Sequence, residues 1–572
     1  MNKECEPRIK TERIDDLPLL YSQIEKMGIA ELIDQYFPTH GNWQGLSLGK
    51  VLAVWLCHIL SQQEHRLSYV QPWVGQRLET LKIITKETIR ELDFSDDRLE
   101  AALRYLSQDD KWSEFESALG GNLVQVYELK SEKVRLDSTT ASSYCGVTED
   151  GLFQFGQSKD YRPDLRQTKI MLSSLDPLGM PIATEIVAGN QADDNLYIPA
   201  FRRVKDTLKK SELLIIGDCK MSALDTRAEI VRSSDYYLCP MSLKQVSREQ
   251  LKEYLLPVWR GEQPLTEIEY SYEDGKTEIV AVGYELWLNQ STTDVNWNER
   301  RLIVRSLKAA QSSELALRER LHKAIEALNK LSERSRGKKV LRTIEDWHNA
   351  TAEIIKRYRV AGLLQLDYQV ETRTTQKRRY GNRPASLEET KLISLNVSVD
   401  ETAVSEAIDL MGWRIYATNR SEDVFPLTEA VVAYRDSYLI ERSFARLKNA
   451  PLSLTPIYLT RDDHIKGLIR LLSIGLRVMT LLEWVVRCNL ERQKQSLKGL
   501  YPGNPQRTTS RPTSEKLLSA FDNITLVTIE FSGITSVHLT ALNPTQQIIL
   551  ALLNFSTEIY TRLSSGKLSP CP

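Results

Sequence analysis

The chain has 572 residues, too many for one ordinary hydrophobic core, so three or four packed units are expected. Hydrophobic residues make up 41% and charged residues 26%, with few Gly or Pro, which excludes collagen-like, disulfide-scaffold and largely disordered classes. A formal net charge of −1 argues against a dedicated basic DNA-binding chain, so any nucleic-acid contact has to come from basic residues concentrated on one face.

Residues 10 to about 128 read as helices. LPLLYSQIEKMGIAELIDQYF and SLGKVLAVWLCHILSQ carry apolar residues at three- and four-residue steps, and Ser95 is placed to cap FSDDRLEAALRYL. The character changes near 130: EKVRLDSTTASSY reads as a strand, and KIMLSSLDPLGMPIATEIVAGN as two strands joined by a turn at 176–179. A helix (NLYIPAFRRVKDTLKK), the strand ELLIIGD, a second helix and the strand DYYLCPMS follow. Three strands, helix, strand, helix, strand is the order of a ribonuclease-H-like α/β core with a mixed sheet.

From 241 to 400 strand-like pieces and a long helical stretch break that order, as a large insertion domain would. The core is expected to resume with the strand GWRIYATN and one helix over 427–448. The expected organisation is therefore an N-terminal helical domain (1–128) able to bind DNA and a core in two parts (129–240 and 401–450). The insertion (241–400) and a mostly helical C-terminal region (451–572) complete it. That last region includes a Pro- and Thr-rich linker (501–514) and a helix capped by Asn543 with Pro544 at its first position.

Seven scattered cysteines form no CxxC pair, so a zinc knuckle or ribbon is not expected; reduced thiols in a cytoplasmic protein fit best. The N-terminal run MNKECEPRIK is charged from its third residue and is no secretory signal. The apolar stretch 468–487 carries Arg470, Arg477, Glu483 and Arg487, which reads as a buried amphipathic helix rather than a membrane span. Three basic clusters stand out: Arg334 to Arg342, Arg373 to Arg383, and Arg492 through Lys516. Each also reads as a solvated face or loop.

Two acidic residues stand where buried strands should end. Asp137 follows KVRL, and Asp218 follows LLIIG. Asp is depleted in strands and costly to bury unpaired. Either one alone also reads as a turn or cap residue; two on adjacent strands repel unless a cation or proton lies between them. Glu441 lies in AYRDSYLIERSFARLK, with Tyr434 seven residues before it and Lys448 seven after, near one face of a continuous helix. That segment also reads as an ordinary amphipathic helix. His464 reads as a residue of a helix N-terminus rather than a ligand. Trp287, Trp297 and Trp413 read as packing residues or as stacking partners for an unpaired base.

The spacing Tyr434, Glu441, Lys448 resembles the Y-(2)-R-(3)-E-(6)-K signature of the IS4 superfamily of DNA transposases. GQSKDYRPDLRQ (156–167), GNQADDN (189–195) and GDCKMSA (217–223) look like its IS1634-type branch. Where the signature has arginine, this chain has Ser437; Arg435 or Arg442 could supply that charge.

The resemblance implies a DDE-type enzyme in which Asp137, Asp218 and Glu441 hold two Mg²⁺ (or Mn²⁺) ions. Such ions, about 3.5–4 Å apart, activate the attacking oxygen and stabilise the leaving one in an in-line displacement at phosphorus. It further implies that Tyr434 and Lys448 touch DNA phosphate near the cleaved end. The partners would be double-stranded DNA, as terminal inverted repeats and as target, with a homodimer in the complex and association with the nucleoid when bound. Lys159 and Arg162, in SKDYRPDLRQ, read either as DNA contacts or as partners of Asp160 and Asp164 in a structural turn. Competing readings are a nuclease on the same fold without strand transfer and a non-catalytic DNA-binding relative.

Overall fold

The computed structural model describes residues 7–144, 146, 151–242, 244–272, 275–333, 341, 343–377, 386–531 and 534–564. The chain forms two compact units, one of residues 1–239, 290–297 and 433–572, the other of 240–289 and 298–432. Its architecture is mixed α/β with a large mixed sheet.

Strand β1 (Arg8–Arg13) is followed by seven helices: Leu17–Lys26, Ile29–Tyr36, Leu48–Gln62, Val70–Gly75, Leu78–Thr85, Asp96–Leu106 and Asp109–Val126. Ser95 stands at the N-cap position in extended conformation but makes no side-chain cap bond. Then come β2 (Lys133–Ser143), β3 (Arg166–Leu175) and β4 (Met180–Ala188), with the expected turn at 176–179. A helix, Tyr197–Leu208, leads to β5 (Leu214–Gly217), and another, Leu224–Arg232, to β6 (Tyr236–Pro240). The spatial order is β4-β3-β2-β5-β6. β2 to β4 form an antiparallel meander, while β5 and β6 run parallel to β2 because a helix returns the chain before each.

The second unit holds β7 (Thr266–Ser271), β8 (Thr277–Ser291), β9 (Asn296–Ser306), the paired β10 (Leu364–Lys377) and β11 (Ser386–Val399), and β12 (Trp413–Thr418). The tip of β8–β9 belongs to the first unit. The insertion therefore runs to Val432 rather than to 400. The strand expected to resume the core, GWRIYATN, instead pairs antiparallel with β9, Trp413 opposite Arg305. Ile303 and Ile415 share one core with Leu255 and Tyr284 in this unit.

The C-terminal region contains the helix Asp462–Gln493, the short β13 (Leu497–Lys498) and β14 (Thr508–Thr509), and the hairpin β15 (Thr525–Phe531) and β16 (Ile534–Leu539). The expected cap is present: Asn543 accepts from the Gln546 amide ahead of Pro544. No unit boundary falls at 128 or at 451, because the termini are interleaved. β1 pairs with β15, Ile9 opposite Ile529, and Asp462–Gln493 packs against the helices Leu17–Lys26, Leu48–Gln62 and Asp96–Leu106. At the closest approach a Cβ on Gly467 would stand 2.2 Å from the Leu103 carbonyl oxygen, so only glycine fits there.

Burial of Asp462–Gln493 extends all round its first five turns, which changes its expected amphipathic character. Its charges are satisfied by ion pairs instead of solvent. Arg470 meets Asp109 at 2.5 Å, and Glu483 receives Arg442, Arg446 and Arg487. Arg477 meets Glu116 at 2.5 Å with neither side chain exposed. Glu116 also takes Arg203 at 2.7 Å and the Thr184 amide of β4 at 3.0 Å. Among the described residues no helix is long and apolar enough to cross a membrane.

Glu116→Ala leaves the Arg477 guanidinium buried without its carboxylate, and the urea midpoint should fall by an amount equivalent to about 3–5 kcal/mol. Replacing Glu116 and Arg477 together by apolar residues should recover most of that loss.

Candidate active site

The parallel pairing of β2 with β5 sets the site. Lys133 lies opposite Leu214, and the register ends at Leu136 opposite Gly217. One residue further on each chain are Asp137 and Asp218, side by side at an interstrand spacing of about 4.8 Å. Asp137 is not at a strand end as expected. β2 continues against β3 as far as Ser143 opposite Arg166, so Asp137 is the first residue whose β5 side has no ladder partner. Both aspartates are half-buried.

The electrostatics follow from that juxtaposition. Burial pushes the Asp137 carboxyl above its ordinary range; the Lys159 ammonium pulls it back, and the Asp218 carboxylate pushes it up again. Lys159 Nζ stands 3.4 Å from Asp137 Oδ1, donates to Ser138 Oγ at 2.8 Å, and lies 3.8 Å from Asp193. Asp193 in turn takes Lys169 at 2.5 Å. Asp218 is fixed through Oδ1, which accepts the Tyr197 hydroxyl at 2.6 Å and the Lys220 amide at 2.8 Å. Burial, and then the charges of Asp218 and Asp137, raise the Tyr197 phenol well above its usual range, so it remains a donor.

Glu441 is exposed on the helix Tyr438–Lys448, which packs against β2. Seven residues on, Lys448 reaches the Thr140 carbonyl of β2 at 3.4 Å and forms an ion pair with Asp160. Glu441 and Lys448 therefore share a helix face. Tyr434 does not share it through a continuous helix. The expected helix 427–448 is two, Leu427–Arg435 and Tyr438–Lys448, broken at Asp436–Ser437. Tight bonds from Ser437 N to Tyr434 O and from Leu439 N to Asp436 O replace the helical pattern there, at two residue types that favour turns over helix interiors. Tyr434 and Arg435 are half-buried.

The remaining candidates divide. Arg442 pairs with Glu483 at 2.9 Å, so its charge is neutralised inside the fold. Arg162 forms a bidentate pair with Asp164 at 2.9 and 2.7 Å, the structural-turn alternative. Lys159 serves the aspartates rather than the turn. His464 is buried in the first turn of its helix. Trp297 is buried and donates to the Tyr237 hydroxyl at 2.8 Å; Trp413 donates to the Asp409 carbonyl at 3.0 Å; Trp287 is exposed in the second unit. Of the basic clusters, Arg334 to Lys339 and Arg342, and the side chains of Arg373 to Arg383, lie outside the described residues. In the third, Arg507 and Lys516 sit 4.1 and 3.9 Å from the Tyr501 ring centre.

Sequence reasoning missed Tyr197, whose helix shows only ordinary amphipathic spacing. It quoted Asp193 within GNQADDN without a role. The donor set at Asp137 and Asp218 suits a hard divalent cation, since two carboxylates in register compete for one neutralising charge. Among the described residues, no group of three His, Cys, Asp or Glu side chains could hold a metal ion, so Glu441 is not gathered with the pair.

Residues 9–117 match the model of a domain of unknown function, DUF4277. No curated protein matches the sequence. Among solved structures, the chain is similar to the piggyBac transposase synaptic complex with hairpin DNA. The identity is 10%, 80% of this chain and 77% of that chain are covered, and the TM-score is 0.22. At that score the likeness carries no argument about fold or function.

Like charges about 5 Å apart in a half-buried setting repel by about 1–3 kcal/mol. Asp137→Asn and Asp218→Asn relieve the same repulsion, and asparagine keeps an acceptor for Tyr197. In urea unfolding above neutral pH the double variant should therefore gain less than the sum of the singles, by about that amount. Additive single effects would show that the two carboxylates do not sense each other.

Proposed function

We propose that this protein is a DDE-type DNA transposase of an insertion sequence, which binds terminal inverted repeats and catalyses cleavage and strand transfer. The observation that carries the reading is the register of β2 on β5, which sets Asp137 beside Asp218. The strand order β4-β3-β2-β5-β6, a three-stranded meander followed by two parallel strands, supports a ribonuclease-H-like core. The shared helix face of Glu441 and Lys448 against β2 supports the signature on which the family resemblance rests.

In this reading Asp137 and Asp218 would hold divalent metal, with Glu441 as the third carboxylate. Bound Mg²⁺ or Mn²⁺ would supply Lewis-acid activation for an in-line displacement at phosphorus. The chain's own residues orient the site. Tyr197 and the Lys220 amide fix one oxygen of Asp218. Lys159 holds a positive charge at Asp137. Lys448, at the sheet edge beside Thr140, is the cation placed to meet a DNA phosphate once Asp160 is exchanged for it. Tyr434 and Arg435 would approach DNA from the preceding helix, and two copies of the chain would pair two ends.

Asp137→Ala, Asp218→Ala and Glu441→Gln should each abolish Mg²⁺-dependent cleavage of the element's ends, by at least about a thousandfold, while end binding in a gel-shift assay persists. Wild-type cleavage by any one of them removes that residue from the triad. Joined product in a strand-transfer assay distinguishes a transposase from a nuclease on the same fold. Calorimetry gives an independent reading: Mg²⁺ or Mn²⁺ binding should be lost in the Asp137→Asn, Asp218→Asn double variant.

A further inference from the structure

Four tyrosines lie open to solvent in a part of the molecule that the proposed chemistry leaves unused. Tyr144 follows the last residue of β2 and is 59% exposed; Tyr458, in the loop after the Glu441 helix, is 71% exposed. Their rings stack, with centroids 6.4 Å apart and planes at 25°. The backbone beneath them is fixed: Ser143 Oγ donates to the Ile457 carbonyl at 2.7 Å, and the Ile457 amide to the Ser142 carbonyl at 3.0 Å. Tyr69, 48% exposed, lies under the Arg66 guanidinium at 4.4 Å, and Arg66 is also within electrostatic range of Tyr458. On the other side Arg162 hydrogen bonds to the Tyr144 hydroxyl, next to Tyr161, which is 93% exposed.

Exposed aromatic rings that are held rigid and interleaved with guanidinium groups are costly in water and need a partner with flat faces. We infer that Tyr144 and Tyr458, flanked by Tyr69 and Arg66 on one side and Tyr161 and Arg162 on the other, form a stacking platform for unpaired nucleotides. Bases offer the π-faces, and stacking on aromatic side chains tolerates any sequence. The platform lies on the same strand as Asp137, about 20 Å along it. A strand freed from its complement at the candidate active site has that surface ahead of it. Arg66 and Arg162 are already paired with Glu64 and Asp164, so binding comes from stacking more than from phosphate contacts. The role in DNA processing rests on the transposase reading; the binding itself does not.

The experiment is fluorescence anisotropy of the full chain with a short oligothymidylate and with a duplex of the same length. The Tyr144→Ala, Tyr458→Ala double variant should lose about tenfold in affinity for the single strand and little for the duplex. Tyr458→Trp should retain single-strand binding. Single-strand affinity should fall less steeply than duplex affinity between about 50 and about 200 mM salt. Unchanged single-strand binding in the double variant overturns the platform while leaving the transposase reading intact. A change of oligomeric state in that variant, with no change in nucleotide binding, assigns the tyrosines to a protein interface and overturns it too. If the wild type binds neither oligonucleotide, the platform and the DNA reading fail together.

Discussion

Glu116 is the point through which the first unit is held. It is fully buried on the helix Asp109–Val126, yet it receives Arg477, Arg203 and the β4 amide of Thr184. One carboxylate thus ties an N-terminal helix, the long C-terminal helix, a crossover helix and the sheet. Three donors are what make a buried charge tolerable, and a well-packed apolar group of the same volume would serve stability about as well. A carboxylate adds direction: the helices can meet β4 in one orientation without stranding a charge. The sheet that carries Asp137 is held from behind in that way.

The front of the sheet shows the opposite electrostatic condition. Behind it charges are matched in closed networks; at Asp137 and Asp218 two carboxylates stand in register, with Lys159 within ion-pairing distance of Asp137. Tyr197 supplies a hydrogen bond but no charge. The fold concentrates negative potential where β5 stops and β2 goes on, on a strand whose other edge is fully laddered. A residual carboxylate charge held on rigid strands is the condition under which a divalent cation or a cationic side chain binds with little rearrangement.

Much of this frame is legible in the residues. β3, the turn at 176–179 and β4 can be read from an apolar run, a DPLG turn and a second apolar run, because these are local signals. Asn543 with Pro544 announces its helix for the same reason. The pairing of β1 with β15 is hidden, since nothing in RIKTER says that its partner lies some five hundred residues on. The break at Asp436–Ser437 is masked because apolar spacing on both sides fits a single helix of 3.6-residue period. The place of Lys159 is equally hidden: a lysine between Ser158 and Asp160 carries no mark of which carboxylate it will meet. Asp137 and Asp218 were legible as candidates; their register depends on the right-handed crossover that brings β5 alongside β2.

Lys159 and Asp160 are neighbours in sequence, but they face different partners. The first holds Asp137 and the second holds Lys448. A single peptide unit therefore couples the charge state of the aspartate pair to the availability of the lysine at the sheet edge. If a cation displaced Lys159, the dipeptide would shift and Lys448 would lose its carboxylate. If a phosphate drew Lys448 away, the hold on Lys159 would loosen in turn. Thermodynamic linkage requires the two effects to be equal in free energy. Cation and phosphate would then recruit each other through two adjacent side chains, with no motion of the sheet.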